Sequence, residues 1–245
     1  MSKLITIYGS PGSGKTLLSL ALASRLALRK ENVILVSSDK VVPHLKVLLP
    51  TVETDKSHSM GPLLLKSGLT QKQLIPKLVF HPDSSYLACL ALAPGDNLIS
   101  YPPLFEAANV MELLNVLSGL ADVVLVDGTS NPTTDRITLT SLEASEHVIC
   151  TLTPDRKGLE YLNALLPVLR DEKYKTGQHI RVLSPVRETS PAKELLGVIE
   201  DVRLLLPYSA EAEERMLSGK LFKGFTRRPG LVFERRVEEL LEELK

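Results

Sequence analysis

The stretch Leu4-Ile5-Thr6-Ile7-Tyr8-Gly9-Ser10-Pro11-Gly12-Ser13-Gly14-Lys15-Thr16, running on into Leu17-Leu18-Ser19-Leu20-Ala21-Leu22-Ala23, decides how the rest of the 245-residue chain is read. A short apolar run, a glycine-rich turn ending in Lys-Thr and a helix-forming run follow one another directly, which predicts a strand, a phosphate-binding loop and a helix. The glycines let the backbone turn tightly and aim its N–H groups inward, and the positive end of the following helix favours a polyphosphate. Gly12, Ser13, Gly14, Lys15, Thr16 and Leu17 are therefore the candidate nucleotide-binding residues. In this reading Lys15 neutralises the β- and γ-phosphates and Thr16 offers its hydroxyl to a magnesium ion. A Gly/Ser turn fitting the pattern by accident would require neither the strand before it nor the helix after it.

Outward from this unit, Asn32-Val33-Ile34-Leu35-Val36 reads as a second strand, followed by Ser37-Ser38-Asp39 at its carboxyl end. From about 41 to 94 the pattern loosens. Pro43, Pro50, Pro62, Pro76 and Pro82 punctuate short helical pieces such as Thr70 to Ile75, which predicts a variable inserted region within one domain spanning 1–245. Regular alternation resumes with a strand at Leu98-Ile99-Ser100-Tyr101, a helix near Glu106 to Leu120 and the strand Asp122-Val123-Val124-Leu125-Val126-Asp127. Strands at 147–152, 180–183 and 202–206, with helices at Gly158 to Arg170 and Pro191 to Gly197, complete the series. Strands alternating with helices predict an α/β fold with a doubly wound, mostly parallel sheet whose ligands bind at the strands' carboxyl ends.

Lys plus Arg and Asp plus Glu balance at 29 each, so no overall field draws the chain to nucleic acid or anionic lipid. Cys89 and Cys150 lie in apolar stretches and read as two reduced, buried thiols. No apolar run approaches membrane-spanning length and the chain enters a strand almost at once, so the expectation is a cytoplasmic protein with no stable membrane insertion. The five histidines, at 44, 58, 81, 147 and 179, show no metal-ligand spacing and read as structural or solvated.

Two aspartates extend the candidate site. Asp127 closes an apolar strand, where a carboxylate can hold the magnesium hydration shell near Thr16; the alternative is a cap of the turn before Gly128. Asp39 can orient an attacking water as a general base beside Lys15, or it can cap a helix starting at Lys40, and its position alone supports both roles equally.

Read together, the phosphate loop, the strand ending at Asp127, the segment Ser141 to Ile149, Thr153-Pro154-Asp155 before a helix, and Leu206-Pro207-Tyr208 resemble the ParA/MinD family of P-loop ATPases. Within it the chain looks closest to the pilus-assembly type called TadZ or CpaE, without a receiver domain. The resemblance implies a SIMIBI-like P-loop architecture, ATP and Mg2+ as cofactors, Asp39 as the catalytic carboxylate working with Lys15, and Thr16 and Asp127 at the metal. It also implies protein partners in a pilus, secretion or partition system. Three departures stand out: the family's signature lysine, which reaches across a dimer, falls on Ser10; the segment after the Asp127 strand is Asp127-Gly128-Thr129-Ser130-Asn131; and the base-reading asparagine expected near Ser184-Pro185 is absent. They predict slow hydrolysis and, at most, a weak homodimer.

Two further segments bear on partners. Lys220 to Arg228 is basic with two phenylalanines, which allows salt-dependent DNA binding but equally fits a solvated loop, and the neutral chain favours the loop. The last helix places Val237, Leu240, Leu241 and Leu244 on one face with glutamates opposite, unlike a basic membrane anchor, and so is expected to pack on the core or on a partner. The competing readings are a partition ATPase, a nucleotide-sensing scaffold that does not hydrolyse, and a small-molecule kinase, the last disfavoured by the lack of an arginine-rich lid.

Overall fold

The computed structural model describes residues 2–97 and 99–244. β1 (Lys3–Gly9), α1 (Lys15–Leu28) and β2 (Val33–Ser37) open the chain, and α2 (Leu45–Leu48), α3 (Gln71–Leu74), β3 (Val79–His81) and β4 (Ser84–Leu90) follow. The second half runs α4 (Ala107–Ser118), β5 (Val123–Asp127), α5 (Arg136–Ala144), β6 (His147–Leu152), α6 (Arg156–Leu165), β7 (Ile180–Val186), α7 (Ala192–Leu196), β8 (Val202–Pro207), α8 (Ala210–Leu217) and α9 (Arg228–Glu243). One eight-stranded sheet has the order β3-β4-β2-β5-β1-β6-β7-β8, and every neighbouring pair is parallel except β3 with β4. This is the expected doubly wound α/β architecture.

Successive residues of the central strands face opposite layers, as a pleated strand requires. Ile5, Ile7, Leu35 and Leu125 pack against Leu18 and Leu22 of α1 and against Phe233, Val237 and Leu240 of α9. Leu4, Ile34, Val124 and Val126 point the other way, onto Val110, Leu113 and Leu117 of α4. Both faces are covered, which is why these strands read as unbroken apolar runs. The acidic side of α9 faces α1, where Arg25 meets Glu234 at 3.0 Å and Glu238 at 2.6 Å. The last helix thus packs on the core, as expected. No helix among the described residues is long and apolar enough to cross a membrane.

Two secondary-structure expectations are corrected. The strand placed at 98–101 does not form: 99–101 is a turn, and Leu98 lies outside the described residues. The Asn97 side chain accepts the Ile99 N–H at 3.0 Å and the Ser100 hydroxyl accepts the Asn97 N–H at 3.0 Å, so local side-chain bonds outcompete a ladder. Conversely, the segment 41–94 contributes β3 and β4, and β4 pairs with β2 inside the sheet. Its Ala88 is a weak strand former, and burial between the two helical layers decides the conformation there. Cys89 and Cys150 are free and buried, and burial pushes their thiols up to about 12 and about 11.

A buried polar chain under β1 makes stability depend on pH. The Tyr8 hydroxyl lies 2.9 Å from Nδ1 of His179, and Nε2 lies 2.7 Å from the Tyr174 carbonyl. Since a carbonyl only accepts, Nε2 carries the proton and Nδ1 accepts from Tyr8, leaving no place for a second proton. Burial, partly opposed by the Tyr174 carbonyl, lowers the His179 pKa from 6.5 to about 4. A base whose folded pKa is depressed stabilises the fold fully above its unfolded pKa, and this contribution is lost as pH falls from about 6.5 toward 4. The loss is on the order of 3 kcal/mol. Urea unfolding across that window should show a clear slope in wild type and a shallower one in His179→Gln; equal slopes would remove His179 as the cause.

Candidate functional site

The loop between β1 and α1 is built to leave donors free. Gly12 and Gly14 have φ of +78° and +76°, a left-handed conformation that side-chain-bearing residues rarely adopt, and a Cβ at Gly12 would meet nothing within 4 Å. Gly14 caps α1 without any side-chain hydrogen bond, and the first turn carries no acidic residue, so the helix's first N–H groups face open space. Ser13 ties the loop down: its hydroxyl donates to the Ser10 carbonyl at 2.7 Å and lies 2.7 Å from the Thr151 hydroxyl on β6.

Lys15 folds back over this loop. Its ammonium donates to the carbonyls of Gly9 at 3.2 Å and Ser10 at 3.1 Å and to the Ser130 hydroxyl at 2.7 Å. Burial lowers its pKa, opposed by the nearby carboxylates of Asp127 and Asp39. Thr16 donates to Asp127 Oδ2 at 2.8 Å and Ser19 to Oδ1 at 3.2 Å. Asp127 is only 2 % exposed, and burial raises its pKa against the opposing influence of His44, Thr16 and Lys15. A cavity of about 430 Å³ beside the loop is lined by Gly12, Gly14, Lys15, Thr16 and Leu17 and by Glu213, Met216 and Leu217 of α8. Ser13 itself is fully buried beneath the loop.

No helix starts at Lys40, and Asp39 caps a turn. Its Oδ1 accepts the N–H groups of Val41 at 2.7 Å and Val42 at 3.0 Å, which closes a turn, while Oδ2 faces His44 Nε2 at 3.6 Å. His44 Nδ1 lies 2.6 Å from the Ser37 hydroxyl and 3.8 Å from Asp127 Oδ2. His44 therefore stands between both aspartates, partly buried and bonded to Ser37. No spacing rule marks it, because the turn after Asp39 and the packing of α2 bring it there.

The loop after β5 is fastened by a second polar chain that sequence reading did not find. The Ser38 hydroxyl donates to the Asp127 carbonyl at 3.2 Å and lies 2.9 Å from the Thr138 hydroxyl, which in turn donates to Asp135. Asp135 caps α5 through Ile137 N–H at 3.2 Å, and the Thr138 hydroxyl accepts the Thr129 N–H at 3.0 Å. Every partner is short and polar, as a loop tied to a sheet end needs, but Ser and Thr are too common for their sequence positions to announce it.

Ser10, in place of the expected cation, is fully buried, and its hydroxyl accepts the Thr153 N–H at 2.8 Å. Ser184 lies next to Gly14, 3.4 Å from where a Cβ would stand. Pro207 and Tyr208 line a neighbouring cavity of about 700 Å³ with Arg187 and Arg228, and the Arg187 guanidinium stacks 3.5 Å over the Tyr208 ring. In the basic segment both phenylalanines turn inward, Phe222 onto His81 and Phe225 onto Phe233, and Glu211 accepts the N–H groups of Thr226 and Arg227, each at 2.9 Å. Lys220, Lys223, Arg227 and Arg228 stay exposed.

The fold is shared with solved structures. A ParA family ATPase from Chlorobium tepidum TLS superposes over 100% of this chain and 99% of its own, with a TM-score of 0.77 and 16% identity. The septum site-determining protein MinD from Pyrococcus horikoshii OT3, complexed with Mg-ADP, covers 100% and 97% with a TM-score of 0.75 and 18% identity. A plasmid partition protein from Borrelia burgdorferi covers 99% and 99% with a TM-score of 0.65 and 16% identity. At these identities the likeness establishes the fold. The sequence matches no protein-family model and no curated protein.

Proposed function

We propose that this chain is a ParA/MinD-type ATPase that binds magnesium-ATP and hydrolyses it slowly to gate contacts with protein partners. The observation that carries the reading is the convergence of Lys15, Thr16 and buried Asp127 on the uncapped start of α1. This donor set fits a magnesium triphosphate. The open space over Gly12 admits phosphate, the free N–H groups supply donors, and the Thr16 hydroxyl and the Asp127 carboxylate are the hard oxygen groups that magnesium prefers. Magnesium would neutralise charge shared by the β- and γ-phosphates. Gly12, Ser13, Gly14 and Leu17 shape the cradle, Lys15 supplies the cation, and Asp39 acts on the attacking water as a general base. Glu213, Met216 and Leu217 offer a half-apolar wall for the rest of the nucleotide.

The cargo we favour is a pilus or secretion apparatus, with the protein in the cytoplasm and the chain acting as one nucleotide-binding domain. Ser10 supports a slow cycle, since a buried hydroxyl bonded to Thr153 leaves no cation there to reach a facing subunit, so any ATP-dependent homodimer should be weak. The exposed Lys220, Lys223, Arg227 and Arg228 favour one second reading, a partition ATPase holding DNA non-specifically. Calorimetry with ATP, with and without magnesium, followed by phosphate-release assays tests the proposal. Binding with slow release supports it, binding without release leaves a sensing scaffold, and no binding overturns it. Binding to any duplex that weakens steeply with salt would move the cargo to DNA.

A further inference from the structure

We propose that His44 is a positioning residue whose Nε2–H orients the Asp39 carboxylate toward water, with Ser37 fixing the ring. The proposal rests on the ATPase reading above and adds to it a residue that belongs to no nucleotide-binding motif. The His44 side chain is 13% exposed and is wedged between two carboxylates at the ends of neighbouring strands. At 3.6 Å to Asp39 and 3.8 Å to Asp127 it is close to both without a hydrogen bond to either, whereas 2.6 Å to the Ser37 hydroxyl is a hydrogen bond. Ser37 is fully buried, so its hydroxyl proton needs an acceptor, and Nδ1 is the one at hand. With Nδ1 accepting, the neutral ring carries its proton on Nε2, the nitrogen that faces Asp39.

The backbone holds the ring in place from both sides. Asp39 Oδ1 accepts the N–H groups of Val41 and Val42, which turns the chain back over the strand end. The His44 carbonyl then accepts from Val47 at 2.9 Å and Leu48 at 2.8 Å, and the N–H of fully buried Leu45 bonds to the Leu92 carbonyl at 3.3 Å. One Asp39 oxygen is thus spent on the turn and the other faces His44. That second oxygen has two lone pairs, enough to take both the Nε2–H and a water proton. Catalytic hydrogen bonds are often long before substrate arrives, and the 3.6 Å gap leaves a short closing movement.

The bland alternative is that His44 only satisfies Ser37. The two roles use different ring nitrogens, and substitutions separate them: an Asn amide reaches the Nδ1 position and a Gln amide the Nε2 position. The first measurement is the imidazole tautomer in 15N-labelled free protein, above neutral pH, by long-range 15N–1H correlation. We expect the Nε2–H form in wild type and a mixture in Ser37→Ala. The second is single-turnover hydrolysis with calorimetric magnesium-ATP affinity for wild type, His44→Asn and His44→Gln. His44→Asn should lose about 30-fold in turnover, the scale of one hydrogen bond to a charged group, with ATP affinity held within about twofold. His44→Gln should recover to within about threefold of wild type. An Nδ1–H tautomer overturns the proposal, as does an active Asn variant beside an impaired Gln variant, or wild-type turnover in both. A wild-type protein that binds or hydrolyses no ATP overturns the ATPase reading itself. Hydrolysis that is intact in wild type and indifferent to His44 sinks this proposal alone.

Discussion

Lys15→Ala is expected to weaken magnesium-ATP binding by about a thousandfold, with no loss of thermal stability in the nucleotide-free protein. Two to three charge-assisted hydrogen bonds to phosphate, each contributing roughly 1.5–3 kcal/mol, set the scale, and about 4 kcal/mol corresponds to that factor. The ammonium is already in place in the free protein, donating to Gly9, Ser10 and Ser130, so little ordering remains to be done when phosphate arrives. It is also partly desolvated, since burial lowers its pKa against the pull of Asp127 and Asp39. In that setting the exchange of neutral acceptors for phosphate oxygens is worth more than it would be in water. Folding does not depend on the charge: its removal frees the carbonyls of Gly9 and Ser10 and the Ser130 hydroxyl, and water entering the space that the Lys15 side chain leaves beside the cavity can replace the ammonium. Calorimetry on wild type and variant decides the matter, and equal affinities would remove the triphosphate from this loop.

The parts of this site that could be read in advance are those that a ligand's own dimensions constrain. A phosphate loop needs glycines, a lysine and a hydroxyl at fixed offsets between a strand and a helix, so Gly12, Gly14, Lys15 and Thr16 stand out from any background. Asp127 was legible because a carboxylate ending a run as apolar as Val123 to Val126 has few other reasons to be there. The same burial made β1, β5, β6 and β7 legible. It failed for β4, where Ala88, Cys89 and their neighbours acquire a conformation from the helices above and below, and where surrounding prolines suggested irregular structure. His44 and the chain from Ser38 through Thr138 to Asp135 were hidden for another reason. Side chains that meet by tertiary packing obey no spacing, and each residue alone is ordinary.

The basic segment shows the opposite case, a pattern visible in sequence whose geometry changes its meaning. Interleaved cations and aromatics suggest a nucleic-acid surface when the rings are outside to stack on bases. Here Phe222 and Phe225 are used internally, and Glu211 clamps the loop by its backbone at Thr226 and Arg227. What remains outside is charge without stacking, so DNA contact at this face would be limited to phosphates.

Asp39→Asn is expected to bind magnesium-ATP about as tightly as wild type while hydrolysing it roughly a thousandfold more slowly, the middle of the range for general acid–base groups. Asparagine is the informative replacement because the turn bond and the proposed role toward water fall on different oxygens of Asp39. Its Oδ1 closes the turn through Val41 and Val42, and an amide oxygen can do the same, since Asn caps backbone N–H groups as well as Asp. Its Oδ2, facing His44, would become an NH2 group, which cannot take a proton from water and presents a donor to a donor. In the proposed reading Lys15 and the loop hold the ground-state phosphates, so affinity should survive while the transition state loses its base. Alanine would confuse the two roles by opening the turn that carries His44. Single-turnover hydrolysis and calorimetry on the same preparation are the measurements. If Asp39→Asn keeps wild-type turnover, Asp39 is a turn residue and the water is activated elsewhere; if it loses ATP affinity in step with turnover, the carboxylate belongs to ground-state binding.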